Sequence, residues 1–347
     1  MKDFKAGIVD YTVYLPEKTI TAEELSPMVN IPANILRDKM GINKKYVGGP
    51  EDHSCAMALK ATKDLIAKTG LDPNDIDMIL YAGETYFEYI CWTASIAIQH
   101  EIGADRAYAW DLSYRCAGTP LAIKVAKDMM YADETLKNVL ICGGNTNCYL
   151  VDYQDPVQSF MFDMAPAGFA MLLRRDFDEN LVLGSGIISD HNFCQDVLVT
   201  TGGSKNPLTQ EMVEEMAKDP EKTRRFNLLT LPDSEGMKKR LGERSLPDFT
   251  GAVRIAAEKS GIETSEIDFI GITHVNPKAH YAIVENLGID KEKTVYLSDY
   301  GHCGHADQFI SLDLGREAGL VKDGSICALL GAGTGYGFTC SIIRWGK

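Results

Sequence analysis

The feature that most constrains the fold of this 347-residue sequence is that its second half repeats the pattern of its first. Asn74-Asp-Ile-Asp-Met-Ile-Leu in the first half has a counterpart in Ser265-Glu-Ile-Asp-Phe-Ile-Gly in the second. Each is followed by a loop, a helical pattern, a strand pattern and a turn with reactive side chains. Two such units, with a boundary between residues 1–175 and 176–347, predict a layered α/β fold in which helices cover sheets and corresponding turns meet in the middle.

The two repeated turns carry a thiol and an imidazole. In the first half an apolar strand pattern over 107–112 leads to Cys116, and a helical pattern follows. In the second half a strand pattern over 294–297 leads to a Tyr-Gly-His-Cys-Gly-His turn that contains His302. A thiol just before a helix N-terminus meets unpaired N–H groups, which favour the thiolate. The sequence therefore predicts a nucleophile at Cys116.

A second histidine occupies a comparable position. His274 ends the apolar run over 269–273, so it is expected at the C-terminal end of a strand, the edge of an α/β sheet where ligand and catalytic groups collect. We expect Cys116, His274 and His302 to share one cavity. Two imidazoles beside a thiolate can hold a thioester carbonyl, stabilise an enolate and move a proton. This chemistry corresponds to acyl transfer and carbon–carbon bond formation.

The glycine-rich segment over 331–337 does not have the G-x-G-x-x-G spacing of a dinucleotide site, and no ribose-binding acid follows it. Its position between two strand patterns predicts a tight hairpin. In the functional interpretation, the backbone N–H groups of Cys116, Ala332 and Gly333 form an oxyanion hole. A purely structural hairpin is the open alternative.

Two carboxylates follow the strand pattern over 76–82. Glu84 and Glu88 both lie just past its C-terminal end, so either is a candidate general base. The alternative is that both are ordinary surface carboxylates.

Composition excludes several classes of function. A formal net charge of −14 argues against non-specific nucleic-acid binding. No window contains the roughly 18 apolar residues of a membrane span, and the N-terminal residues show no secretory signal, so a cytoplasmic location is expected. Nine cysteines without a C-x-x-C pair predict neither structural zinc nor a disulfide framework. His302, Cys303 and His305 lack the i, i+4 spacing of a helical metal site, so no metal is predicted.

Anionic ligands would need local basic patches in so acidic a chain. The sequence contains two candidates, for which solvated surface charge is the alternative. They are Arg37, Lys39, Lys44 and Lys45, and Arg224, Arg225, Lys238, Lys239 and Arg240.

Taken in order, these motifs resemble the thiolase superfamily, most closely its β-ketoacyl-acyl carrier protein synthase III branch. Arg-Cys-Ala-Gly at 115–118 resembles the nucleophile motif of that family, Phe-Asp-Met-Ala-Pro-Ala-Gly at 162–168 its Gly-Asp-Gly-Ala-Gly segment, and His-Val-Asn-Pro at 274–277 its His-Gln-Ala-Asn. The resemblance covers nearly the whole chain. It implies a five-layered αβαβα fold, a homodimer and no resident cofactor.

The resemblance also implies a reaction. An acyl group from acyl-CoA is loaded onto Cys116 and transferred to a second substrate, carried on coenzyme A or on the phosphopantetheine of acyl carrier protein, by decarboxylative Claisen condensation in fatty acid biosynthesis. The positions that match the family's coenzyme A contacts point to Arg37, Lys39 and Asn276.

The sequence departs from the family pattern at the site itself. His302 stands where the family has Asn, which gives a Cys-His-His set similar to the elongating ketoacyl synthases. Ile35 and Lys39 replace a Trp and an Arg that hold the adenine end of the coenzyme. Two alternatives remain. One is a hydroxymethylglutaryl-CoA synthase-like condensation with Glu84 as base, and the other is a non-catalytic partner subunit, which the retention of Cys116, His274 and His302 disfavours.

Overall fold

A computed structural model describes residues 4–347 of the chain. Within these residues it forms eleven strands: β1 Ala6–Tyr14, β2 Lys18–Thr21, β3 Lys44–Val47, β4 Met78–Tyr81, β5 Tyr108–Asp111, β6 Asn138–Asn145, β7 Ala167–Arg175, β8 Leu181–Ser189, β9 Phe269–Ile272, β10 Ile326–Gly333 and β11 Gly337–Arg344.

Ten α-helices are described in the same residues: α1 Ala22–Val29, α2 Ala33–Asp38, α3 Ser54–Thr69, α4 Ala94–Ile102, α5 Gly118–Ala132, α6 Gln210–Lys218, α7 Pro220–Arg225, α8 Ser234–Ser260, α9 Pro277–Asn286 and α10 Asp307–Glu317.

The main sheet consists of two mixed half-sheets. The first has the strand order β5-β4-β6-β7-β1 and the second the order β8-β11-β10-β9. They join through a single residue pair, Gly7 on β1 with Leu181 on β8. In the first half-sheet β5, β4 and β6 run parallel, and in the second β9 runs parallel to β10, so the carboxyl ends of these strands lie at common edges.

Helices cover both half-sheets and also lie between them. One buried cluster holds α3 and α4 against the outer face of the first half-sheet, and another holds α8 and α9 against the outer face of the second. A third cluster contains α5, α10 and strand residues of both halves. The predicted five-layered αβαβα fold is confirmed. We retain residues 1–175 and 176–347 as the proposed halves.

The apolar face of α5 fixes the position of the first reactive turn. Ala122, Ile123, Ala126 and Met130 recur at helical spacing and are fully buried in the central cluster. Burial of Ile123 or Met130 contributes on the order of 1.5–3 kcal/mol of transfer free energy, and each alanine methyl adds roughly 0.8 kcal/mol. The start of α5, and the turn immediately before it, are therefore anchored by the core.

The strand predicted over 294–297 is wrong. Thr294 forms only an isolated bridge with Ile270, and its hydroxyl donates to the Ile270 carbonyl at 2.7 Å. That side-chain hydrogen bond occupies a carbonyl which a continuing ladder would use, so the segment follows the edge of β9 without becoming a strand.

Candidate active site

The two reactive turns meet at the centre of the fold. Cys116 lies in the 3-10 turn Arg115–Ala117 just before α5, and His302 lies just before the 3-10 turn Gly304–Ala306 that leads into α10. The Thr119 hydroxyl donates to the backbone carbonyl of His305 at 2.8 Å and so ties the turns together. The nucleophile candidate of one half is thereby held beside a histidine of the other.

His302 is the imidazole that faces the thiol. It lowers the pKa of Cys116 through its charge and a hydrogen bond. Its Nδ1 lies 2.6 Å from Oδ2 of Asp307, which leaves Nε2 for the thiol. The buried Asp307 also accepts hydrogen bonds from the Thr273 hydroxyl and the His274 N–H, each at 2.8 Å. This carboxylate orients His302 as the Asp of a catalytic triad orients its histidine.

Asp307 was missed in the sequence. It lies five residues after His302, at the first position of α10, where an acidic residue is ordinary because it favours the helix N-terminus. The available signal was a carboxylate within one and a half helical turns of a candidate histidine. Nothing in that spacing distinguishes a helix-capping role from orientation of an imidazole.

His274 does not contact the thiol. Its Nδ1 lies 2.6 Å from Oδ2 of Asp163, and its Nε2 lies 3.3 Å from both the Gly41 carbonyl and the Tyr296 hydroxyl. Within residues 4–347 no hydrogen bond or ion pair joins His274 to Cys116. The expectation that both imidazoles flank the thiol is therefore corrected: both ring nitrogens of His274 are engaged elsewhere, and its backbone N–H serves Asp307.

Asp163, the partner of His274, belongs to the segment at 162–168 that resembles a family motif. Burial alone would raise the pKa of this carboxyl, but the hydrogen bond and charge of His274 bring it below its ordinary value. Lys45, 2% exposed, adds a positive charge near Asp163 and donates to the Met164 carbonyl at 2.9 Å. This buried network braces the wall of the site behind His302.

Glu84 is in direct contact with the thiol. After β4 ends, the following residues still run beside β6, and the Glu84 N–H donates to the Gly144 carbonyl at 3.0 Å. This carries the fully buried Glu84 side chain to a position where the Cys116 thiol donates to its Oε1 at 3.2 Å. Its Oε2 lies 3.7 Å from Nη1 of Arg115. The structure thus brings together Cys116, His302 and Glu84.

Glu88 has a different position and role. Its Oε1 accepts from the N–H groups of Cys55 at 2.8 Å and Ala56 at 3.1 Å, the first residues of α3. These N–H groups have no partner within the helix, so the carboxylate caps α3 from a neighbouring loop. The general-base interpretation of Glu88 is therefore corrected.

The thiol is neutral at rest. Burial raises the pKa of Cys116 to about 11, the negative charge of Glu84 adds to the rise, and His302 opposes it. The thiolate expected from the helix N-terminus is therefore wrong for the resting site, because desolvation and Glu84 outweigh the helix. Burial also lowers the pKa of His302, but Asp307 and Cys116 together hold it well above its ordinary value. His302 is thus an imidazolium at rest beside a neutral thiol, and it can accept the thiol proton only after it has released its own Nε2 proton.

The hairpin between β10 and β11 approaches the Cys116 backbone. A Cβ placed on Gly333 would lie 2.9 Å from the Cys116 nitrogen and 2.7 Å from Cβ of Arg115. Only glycine permits this approach. Ala332 precedes it and pairs with Phe338 of β11. The predicted hairpin is present, and its last residue on β10 borders the amide of the nucleophile.

The residues assigned to coenzyme A by resemblance lie at the surface. Arg37 is paired with Glu23, and Lys39 is exposed. Asn276 is the N-cap of α9, where its side chain accepts from the Ala279 N–H at 3.0 Å. Of these residues, Lys39 alone has a side chain that is not engaged in a described contact.

Acidic partners neutralise much of the second basic cluster. Arg224 and Arg225 both pair with Asp152, while Arg240 pairs with Asp196 and with Asp233. In the first cluster Lys45 is buried. These arginines form ion pairs within the protein. The net positive charge that the second basic cluster presents at the surface is therefore smaller than its sequence suggested.

Two classes of feature are absent from the described part of the chain. Residues 4–347 contain no group of three or more histidine, cysteine, aspartate or glutamate side chains arranged to hold a metal ion. None of the helices in this range has the length and apolar character needed to cross a bilayer.

Comparison with known proteins identifies one group of relatives. The family model "3-Oxoacyl-[acyl-carrier-protein (ACP)] synthase III" matches residues 110–191, and the model of its C-terminal part matches residues 257–345. The β-ketoacyl-[acyl-carrier-protein] synthase III of Synechocystis sp. is 25% identical over 332 residues, 95% of each chain. That of Caldanaerobacter subterraneus is 27% identical over 343 residues, 99% of this chain and 98% of the relative.

Solved structures share the fold. The 3-oxoacyl-[acyl-carrier-protein] synthase III of Aquifex aeolicus superposes with a TM-score of 0.80 at 22% identity, covering 98% of this chain and 100% of that one. The enzyme from Pseudomonas aeruginosa gives 0.82 at 18% identity, covering 99% of each chain. A priming β-ketosynthase from the R1128 polyketide pathway gives 0.80 at 20% identity, covering 98% and 96%.

Proposed function

We propose that this chain, a 3-oxoacyl-acyl-carrier-protein synthase III-like enzyme of the thiolase superfamily and a condensing acyltransferase, loads an acyl group from acyl-CoA onto Cys116 and condenses it with a second thioester. The observation that carries the proposal is the position of His302 between the Cys116 thiol and the Asp307 carboxylate. Its Nδ1 lies 2.6 Å from Oδ2 of Asp307, and its charge acts on the thiol.

In the loading step Cys116 attacks the thioester carbonyl of acyl-CoA. The resting pair first releases the Nε2 proton of the His302 imidazolium to solvent. The proton of the neutral thiol then passes to Nε2 as the S–C bond forms, and Asp307 stabilises the imidazolium that results. The negative charge on the carbonyl oxygen is stabilised by the N–H groups of Cys116 and Gly333. The coenzyme A thiolate then leaves and takes the proton from His302.

The expected second step is decarboxylative. A malonyl thioester on coenzyme A or acyl carrier protein loses CO₂, and the electron pair released attacks the acyl carbon on Cys116, whose sulfur leaves as the thiolate. His302 supports this route: its pKa is raised, so after loading it regains a proton from solvent, donates to the thioester oxygen on which the enolate charge develops, and then gives that proton to the Cys116 thiolate.

Glu84 favours a second candidate, a hydroxymethylglutaryl-CoA synthase-like condensation. Its buried carboxylate, 3.2 Å from the sulfur, can take a proton from the α-carbon of a neutral acyl thioester. The resulting enolate attacks the acyl carbon on Cys116, whose sulfur leaves as the thiolate and takes the proton from Glu84. The same charge disfavours a malonyl carboxylate in the site, since two like charges about 4 Å apart cost roughly 4 kcal/mol at an effective dielectric constant of about 20.

Two measurements test these steps. Intact-protein mass spectrometry after incubation with a panel of acyl-CoAs should find one acyl adduct, lost in Cys116→Ser. An enzyme without adducts from any donor would support the non-catalytic partner alternative. The acylated enzyme is then given malonyl-CoA or acetyl-CoA in D₂O. CO₂ release identifies decarboxylation, and deuterium uptake at the α-carbon of acetyl-CoA identifies proton removal by Glu84. Malonyl-loaded acyl carrier protein in the same assay distinguishes the two carriers.

A homodimer in the cytoplasm is part of the proposal. Three features support the dimer: β5 has an open edge with Tyr108 46% exposed, the loop after Glu84 leaves Tyr89 and Ile90 68% and 95% exposed, and a cavity of about 680 Å³ lies beside that loop. Light scattering on the purified protein should give twice the chain mass, and Ile90→Asp should reduce it. A monomer at micromolar concentration would contradict the dimer.

A further inference from the structure

We infer that His305 is a positioning residue for Glu84: its Nε2–H holds the carboxylate in the orientation from which Glu84 removes the α-proton. This inference rests on the second condensation route proposed above, in which Glu84 is the base.

The first observation is that His305 has an unused donor directed at Glu84. Its side chain is 1% exposed, and neither ring nitrogen has a hydrogen-bond partner among the described residues. Nε2 lies 3.6 Å from Oε1 of Glu84, slightly beyond hydrogen-bond length. A buried unpaired imidazole nitrogen is unfavourable, so a small closing movement that pairs it with a carboxylate is favoured.

The second observation is that the ring has no room to turn away. A Cβ on Gly118 would lie 3.1 Å from Cε1 and 3.2 Å from Nδ1 of His305, so the glycine after the nucleophile's 3-10 turn makes space for the imidazole. The ring of Phe169 packs 6.3 Å away, centre to centre, and the Thr119 hydroxyl holds the His305 backbone. The donor is therefore fixed relative to Cys116.

The third observation is the charge balance around the pair. Glu84 is faced by the Cys116 thiol, by Arg115 and by His305, while His305 is faced by Glu84, His302, Asp307 and Arg115. Burial lowers the pKa of His305 to about 4, because the attraction of Glu84 only partly offsets desolvation. The ring is therefore neutral near pH 7.

A neutral donor is suited to this position. The neutral imidazole stabilises the carboxylate without cancelling its charge. The attraction between Nη1 of Arg115 and Oε2 of Glu84, 3.7 Å apart, is weakened by solvent because the Arg115 side chain is 45% exposed. Without the donor, the carboxylate is free to turn away from the α-carbon, and removal of the proton slows. The loss of one hydrogen bond to a charged group corresponds to a rate decrease of roughly tenfold.

The test compares His305→Phe, which fills the volume without a donor, with His305→Gln, whose amide replaces the donor. The measurement is the rate of deuterium exchange into acetyl-CoA by the Cys116-acylated enzyme, resolved into kcat and KM. We expect kcat for exchange by His305→Phe to be roughly tenfold lower, with KM within about twofold. Acyl loading should stay within about twofold, and His305→Gln should restore kcat. An unchanged kcat, or a higher KM with kcat unchanged, would overturn the inference.

Two further measurements separate this inference from the proposed function. If Glu84→Gln exchanges deuterium at the wild-type rate, the base assignment itself fails. If Glu84→Gln abolishes exchange while His305→Phe leaves kcat for exchange unchanged, only the positioning role fails. ¹⁵N NMR of the wild-type protein covers the case in which His305→Phe does not fold: a neutral ring protonated at Nε2 at pH 7 supports the inference, and a cationic ring or a proton on Nδ1 overturns it.

Discussion

Replacement of Glu84 by Gln should make the Cys116 thiol more acidic. The pKa of this thiol is about 11, two pH units above 9.0, with burial the largest cause and Glu84 the next. Glutamine keeps the volume and an oxygen that accepts the S–H, but it removes the charge. Desolvation persists, so we expect about half of the rise to be recovered, roughly one pH unit or about 1.4 kcal/mol.

The expected change in reactivity is smaller than the change in ionisation. At a pH well below the thiol pKa, a drop of one unit increases the thiolate fraction about tenfold. A less basic thiolate is also a weaker nucleophile, with a Brønsted coefficient of about 0.4–0.5. The two effects combine to an acceleration of roughly three- to fourfold.

The assay is modification by methyl methanethiosulfonate at pH 8, followed cysteine by cysteine with peptide mass spectrometry. Cys91 and Cys194 are exposed and provide internal references. Glu88→Gln is the matched control, because it neutralises a carboxylate four residues away that caps α3 and does not touch the thiol. Its Cys116 rate should equal that of the wild type.

One result would refute the reasoning. If Cys116 in Glu84→Gln reacts at the wild-type rate or more slowly, while the rates of Cys91 and Cys194 are unchanged, the charge of Glu84 does not act on the thiol. The 3.2 Å contact between the Cys116 thiol and Oε1 of Glu84 would then have no demonstrated effect on the reactivity of the thiol.

Four other outcomes are expected. Asp307→Asn should slow acylation of Cys116 by roughly 10²- to 10⁴-fold, because His302 loses its orienting carboxylate; a loss below about threefold, measured as adduct formation with saturating acyl-CoA, would contradict this. Gly333→Ala should also impair acylation, since its Cβ would lie 2.9 Å from the Cys116 nitrogen, whereas Gly242→Ala, in open space on α8, should not. The folded pKa of His302 is raised, so its stabilising effect is complete below about pH 6.5 and is lost as pH rises through the folded pKa. The difference in unfolding free energy between wild type and His302→Asn, from urea titrations, should shrink as pH rises. A difference that increases with pH would count against the ion pair between His302 and Asp307. Glu88→Ala should lower the free energy of unfolding by about 1 kcal/mol without changing acylation of Cys116, and slower acylation would return Glu88 to the site.

The layered fold and the location of the reactive turns were predictable because both follow from short-range pattern. The repeat identifies two α/β units. Cys116 falls between β5 and α5 and His302 falls just before α10, and the core positions both turns through these helices. Local periodicity is sufficient for such predictions, since it depends on residues a few positions apart.

The direction of individual side chains was not predictable, because it depends on distant partners. His274 turns toward Asp163, which is 111 positions away, and not toward the thiol. Glu84 and Glu88 lie four residues apart in one loop, and only the packing of α3 and of the Cys116 turn against it separates a cap from a thiol contact. The thiol pKa also escaped prediction, since burial is a property of the assembled core.

The hydrogen bond from Thr119 to the His305 carbonyl joins the two proposed halves of the chain. Cys116 and Glu84 belong to the first half, His302 and Asp307 to the second. Neither half alone holds the full set of reactive groups, so the site exists only where the two halves are packed against each other.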